Sequence, residues 1–202
     1  MSLDTQKQLP VVVGISGASG VAMAKRAIDR LLATDIPVVT ICSAPARQVW
    51  QEEMAEPFHD VLAAWQEHPL FTYYPIGDLK APLASGTFPS RGMIVVPCSM
   101  ATVAAIAHGF ITNLLQRAAE VCMKEGRKLV LVPRETPLSA IHLENMTALA
   151  RLGVTILPPE PAYYLFPKTV DDITDFMVER ALVALGVLPA MSDRFTYQPR
   201  SE

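Results

Sequence analysis

Val11-Val12-Val13-Gly14-Ile15-Ser16-Gly17-Ala18-Ser19-Gly20-Val21-Ala22-Met23-Ala24 opens with a β-branched run, passes through a glycine-rich turn, and enters a segment, residues 21–34, with helical apolar spacing. The pattern is strand, tight turn, helix. A second apolar run, residues 37–42, ends at Ser43, and residues 44–55 read as a helix carrying Pro45 in its first turn, where proline is tolerated.

The alternation continues along the chain. A short helix is expected around residues 61–66 and a strand around 72–76, with a loop through residues 81–86. Residues 93–96 form a fully apolar strand running into Pro97-Cys98-Ser99, and helices follow over 102–107 and 113–124. Residues 128–132 form the next strand. The last helices span 139–152, closed by Gly153, and from a Thr169-Val170-Asp171-Asp172 cap to about Leu185, with a strand over 154–157 between them. Strands that alternate with helices in this way build a parallel sheet covered on both faces. Ligands in such sheets lie beyond the carboxyl ends of the strands, so Ser16 to Ser19, Ser43, Ser99 and Arg134 are expected to converge.

The turn lacks GxGxxG spacing, since Ser16 stands where a second glycine belongs, and no GK[ST] follows. Cys42-Ser43, in place of an acidic residue, ends the second strand, which argues against a dinucleotide and leaves a mononucleotide open. Small residues at 16–20 let backbone approach a ring or phosphate, although packing alone also explains a glycine turn. Ser99-Met100-Ala101-Thr102 repeats a hydroxyl-bearing helix start. In Pro133-Arg134-Glu135-Thr136-Pro137, two prolines fix a turn after a buried strand, costly scaffolding for a merely solvated charge pair, so Arg134 and Glu135 read as an anion site with an acid/base neighbour. Arg117 and Lys124 share one helix face, which by itself reads as a solvated cationic surface; Glu53, Tyr164 and Arg180 are ordinary taken singly. His108 and His142 read as packed or surface histidines and Cys98 as a buried packing residue.

Composition narrows the rest. The 202 residues include no linker and are expected to form a single domain, 1–202, with a core over about 11–186 between polar tails. Half the residues are apolar and only 18% are charged, with a mean hydropathy of +0.27, so burial between identical subunits is expected. A net charge of −3 argues against nucleic acid. Three cysteines without metal or disulfide spacing indicate a reducing, cytoplasmic setting. Residues 92–115 hold no formal charge, but Pro97, Gly109 and Asn113 break the run, which argues against a membrane span.

Gly14-Ile15-Ser16-Gly17-Ala18-Ser19-Gly20, Pro97-Cys98-Ser99-Met100, the stretch from Lys124 to Glu135, His142-Leu143-Glu144-Asn145-Met146 and Pro161-Ala162-Tyr163-Tyr164 together resemble the flavin prenyltransferases, the UbiX family. The resemblance covers residues 11–186. It implies a flavodoxin-like (Rossmann-like) three-layer α/β/α subunit with a mostly parallel sheet, assembled into a dodecamer, that transfers dimethylallyl from dimethylallyl monophosphate to N5 and C6 of reduced FMN without a metal. The product would pass to a UbiD-type decarboxylase. By the same resemblance, Gly17, Ala18, Ser19, Ser43, Ser99, Met100, Ala101, Thr102 and Arg134 contact FMN. Ser85, Arg117, Lys124, Arg134, Tyr164 and Arg180 hold the prenyl phosphate, with Tyr164 partly contributed across a subunit boundary. Ser19, Glu53, Glu135 and Lys124 take part in catalysis. The chain departs from the family pattern at Val21-Ala22-Met23-Ala24, where an aromatic and a glycine are usual, and at Ala44-Pro45, where a lysine is usual.

Two other readings compete. A cysteine-decarboxylating flavoprotein would need a histidine after the first helix, and none precedes His59. A non-catalytic FMN carrier would share the flavin residues but not a working phosphate cradle.

Overall fold

A computed structural model describes residues 9–197. Six strands, β1 (Val11–Ile15), β2 (Val38–Cys42), β3 (Phe71–Tyr73), β4 (Gly92–Cys98), β5 (Leu129–Pro133) and β6 (Thr155–Ile156), form one sheet in the order β3-β2-β1-β4-β5-β6. Every pairing is parallel, so the expected mostly parallel sheet is wholly so among the described residues. Leaving out the three-residue β3, the order is that of a flavodoxin-like sheet, with β3 added as an outer edge.

Seven helices cover the two faces: α1 (Val21–Ala33), α2 (Ala44–Glu53), α3 (Phe58–Gln66), α4 (Met100–Ala107), α5 (Leu114–Lys124), α6 (Ala140–Arg151) and α7 (Val170–Leu185). Alternate strand residues feed two separate cores. Val11, Val13, Ile15, Ile94 and Val96 pack under α1, α2, α3 and α7, while Val12, Met93, Val95, Leu129 and Leu131 pack under α4, α5 and α6. This is why β1, β4 and β5 are apolar at every position and not at every second one.

Boundaries moved where local chemistry decides them. The strand expected over 72–76 stops at Tyr73, because Pro75 has no N–H to extend the ladder. The helix expected from 102 begins at Met100, where the Ser99 hydroxyl accepts from the Thr102 amide. The helix expected from 61 begins at Phe58, and the loop over 81–86 contains a 3-10 turn, Pro82–Ala84. The final helix starts with a reciprocal Thr169–Asp172 cap and ends at Gly186 with φ 78°, as the sequence suggests. No helix among the described residues is long and apolar enough to cross a membrane.

Candidate active site

The strand order reverses between β1 and β4, and there the chain is cross-stitched. Ser16, 2% exposed, donates its hydroxyl to the Pro97 carbonyl at 3.2 Å and accepts from the Ser99 amide at 2.7 Å. The Ser43 amide donates to the Ile15 carbonyl at 3.0 Å and the Arg134 amide to the Cys98 carbonyl at 3.2 Å. The ends of β2, β1, β4 and β5 therefore present Ser43, Ser16–Ser19, Ser99 and Arg134 side by side, the convergence the sequence implies.

Two helices start at this edge with serine caps. Ser43 accepts from the Ala46 amide at 3.1 Å at the start of α2, and Ser99 accepts from Thr102 at the start of α4, its hydroxyl also 3.0 Å from that of Thr102. Met100 and Thr102 are buried, and Ala101 is exposed at the helix start. The turn before α1 is different. A Cβ on Gly17 would lie 2.4 Å from the Cβ of Pro45, so this glycine is required by contact with the first turn of α2. Pro45, one of the departures noted in the sequence, thus has a partner in the glycine-rich turn. Gly20 adopts φ 104°, and its amide and that of Val21 both donate to the Glu53 carboxylate, at 2.8 and 3.1 Å. Glu53, from the last residue of α2, caps α1, so the amides at this helix start already hold an anion.

Beyond β5, Arg134 and Glu135 are exposed and line a cavity of about 270 Å³ closed by Leu138, Met146 and Glu160. The Glu135 carboxylate accepts from the Thr136 amide at 3.1 Å, and no ion pair joins it to Arg134. Glu160 is a second carboxylate facing this space, which sequence reasoning missed because it lies in a proline-rich connection with no periodicity. The thiols are sequestered: burial pushes Cys42 up to about 12 and Cys122 up to about 11, and raises Cys98 further still. All three are free and buried, so Cys98 packs as expected.

The remaining expected residues lie elsewhere on the protomer. Lys124 is the last residue of α5, at the opposite, N-terminal edge of the sheet, with its ammonium paired to Glu125 and beside Gly86 in the loop entering β4. That pairing, by hydrogen bond and charge, holds the Glu125 carboxyl below its usual range. Arg117 donates to the Ala84 carbonyl at 2.9 Å and to Glu120 at 2.6 Å, placing it against the same loop as Ser85, whose hydroxyl is 2.8 Å from that of Thr87. Arg127, not singled out in the sequence, pins this loop through the carbonyls of Gly86 at 2.6 Å and Phe88 at 2.7 Å. Tyr164 is exposed in a 3-10 turn, Tyr163–Leu165, between β6 and α7, on the Arg134 edge. Arg180 is exposed in the C-terminal half of α7. The histidines are structural: His108 Nε2 lies 2.9 Å from Oδ1 of buried Asn145, and His142 closes the cap of α6 with Ser139.

A parallel α/β sheet whose switch point is lined with small residues and serine-capped helix starts is the architecture of a flavoprotein, and the Flavoprotein family model matches residues 2–182. The flavin prenyltransferase UbiX of Synechocystis sp. is 46% identical over 188 residues, 88% of this chain and 91% of its own. The crystal structure of AnUbiX in complex with FMN and dimethylallyl pyrophosphate superposes with a TM-score of 0.87 at 36% identity, covering 96% of this chain and 100% of that one. A dodecameric FMN-dependent UbiX-like decarboxylase from Escherichia coli O157:H7 gives a TM-score of 0.84 at 41% identity over 91% and 99% of the two chains. The chain belongs to the UbiX family of flavin prenyltransferases.

Proposed function

We propose that the chain transfers dimethylallyl from dimethylallyl monophosphate to N5 and C6 of reduced FMN, at a site that more than one protomer completes. The observation that carries the shared site is the division of its cations. Lys124, the last residue of α5, sits at the N-terminal edge of the sheet, and Arg134 and Tyr164 at the other. The five residues of β5 between Lys124 and Arg134 span roughly 16 Å at about 3.3 Å per residue, and the Lys124 ammonium is turned to Glu125 and Gly86 at its own edge, which favours a phosphate held by Arg134 of one protomer and Lys124 of another. Apposed edges of neighbouring protomers would bring them together, and the dodecameric relative supports a homododecamer here.

The switch point fits FMN as the acceptor, because its donor set is the hydroxyls and amides of two serine-capped helix starts. Gly17, Ala18 and Ser19 would lie along the flavin, with Ser43, Ser99, Met100, Ala101 and Thr102 beside it. Reduced flavin supplies the electron-rich ring positions that take the allyl group. The chain supplies the rest. Lys124, Arg134, Tyr164 and Arg180 would stabilise the departing phosphate dianion through charge-assisted hydrogen bonds. Glu135, exposed beside Arg134, would take the proton released at ring closure. Glu53 would hold the Gly20–Val21 turn, and with it Ser19, by the two amide bonds it accepts. The product would serve a UbiD-type decarboxylase.

Anaerobic incubation with reduced FMN and dimethylallyl monophosphate, or the pyrophosphate held by AnUbiX, is expected to add one dimethylallyl unit to the flavin mass. Lys124→Ala and Arg180→Ala should abolish that gain while FMN stays bound. An unchanged flavin mass with either ester would overturn the reading in favour of a flavin carrier.

A further inference from the structure

Two carboxylates one helical turn apart on α7, Asp175 and Glu179, each accept from α1 on one side and, on the other, from the C-terminal arm, residues 191–197, which holds a 3-10 turn, Asp193–Phe195. Asp175 takes the guanidinium of Arg26 and, at 3.2 Å, that of Arg194. Glu179, 1% exposed, takes Arg30 at 2.5 Å and the Ser192 amide. Arg194 also pairs with Asp172 and lies 4.8 Å from the ring centroid of Phe195, which is buried against Phe176 at 5.6 Å. The arm is therefore fastened along the first three turns of α7, the end that faces the Arg134 edge of the sheet.

What the arm delivers there is Tyr197, whose ring meets that of Tyr164 edge to face, centroids 5.7 Å apart at 76°. The turn that carries Tyr164 is itself strained. It ends at Phe166 with φ 52°, a left-handed conformation that a bulky side chain holds only when its surroundings enforce it. The arm lies across from it: a cavity of about 200 Å³ is lined by Leu165, Phe166 and Ile173 together with Arg194 and Phe195.

We propose that the C-terminal arm is a positioning element of the prenyl-phosphate site, with Tyr197 setting the placement of Tyr164 and the Arg194 latch setting that of Tyr197. The inference rests on the assignment of Tyr164 to that site. It predicts an effect on capture of the prenyl ester and none on flavin binding, because the contacts made by the described residues of the arm fall on α7 and Tyr164.

Steady-state prenylation by the assembled protein tests it with Tyr164→Ala, Tyr197→Ala, Tyr197→Phe, Arg194→Ala and the Tyr164→Ala/Tyr197→Ala double variant. Tyr197→Ala and Arg194→Ala are expected to raise KM for dimethylallyl monophosphate about three- to tenfold, the range one aromatic contact allows, with kcat, Tm and FMN Kd near wild type. Tyr197→Phe, which keeps the ring, should restore KM. The double variant should match Tyr164→Ala alone, since Tyr197 acts through Tyr164. If Tyr164→Ala raises KM while Tyr197→Ala does not, or if the two effects add, the arm has no such role. If Tyr164→Ala leaves KM unchanged, the assignment of Tyr164 fails first and takes the inference with it.

Discussion

Ser16 shows how much a single hydroxyl can decide. It is buried, it donates to the chain before Ser99 and accepts from Ser99 itself, and so it joins the glycine-rich turn to the start of α4. Ser16→Ala keeps the turn's small volume but leaves a buried amide unpaired, and should cost about 1–3 kcal/mol. A lowered urea midpoint with an unchanged slope would show it; an unchanged midpoint would mean that water takes the place of the hydroxyl. Ser99 and Thr169 were legible at helix starts because each bonds an amide three residues ahead. Ser16 was legible only as a residue permitting close approach, since its partner is 83 positions away and no local pattern encodes that distance. Glu53 hid in the same way, its two amides lying on the preceding helix.

At the level of elements, the alternation of strands and helices could be read because each apolar run is short, continuous and punctuated by serine, proline or glycine. The fastening of α1, α7 and the arm could not, because it is made of charges that on any one helix look like a solvated face. Its acid response follows from the two carboxyls involved. Burial by itself raises Glu179, yet the Ser192 amide and the Arg30 guanidinium outweigh it and leave the carboxyl below its ordinary 4.5. Asp172 is held below 3.8 by the Lys168 amide and the hydroxyl and amide of Thr169, with Arg194 adding to the effect. Since both folded values lie below the unfolded ones, their stabilisation is complete above the ordinary carboxyl range and disappears as pH falls through the lower, folded values. Hydrogen exchange at the Ser192 amide, corrected for intrinsic rate, should lose protection as pH falls below the ordinary carboxyl range, while amides of β4 keep theirs. Equal protection of Ser192 at neutral and acid pH would exclude a carboxylate fastening.

The whole molecule leaves more apolar surface outside than one protomer needs. Phe110 and Ile141 are each 67% exposed and Leu143 is 50% exposed, on the start of α6 and the segment after α4. Composition announced that surplus, but the sequence could not say which face held it, because α6 alternates polar and apolar residues without a clean stripe. The proposed burial between copies would answer both the surplus and the separation of Lys124 from Arg134. Charging this face tests the two together. Phe110→Asp with Ile141→Asp adds two carboxylates that an apolar interface cannot hydrate, and should convert the assembly to smaller species by light scattering. The dissociated protein should keep its sheet, since neither residue belongs to a core, and its circular dichroism should be unchanged. Prenylation should fall by orders of magnitude, because on the proposed shared site a lone protomer would not bring Lys124 to Arg134. A dissociated protein that still prenylates FMN at the normal rate would show that Arg134 and Tyr164 suffice, and that Lys124 and Arg117 do no more than fasten the loop at Gly86.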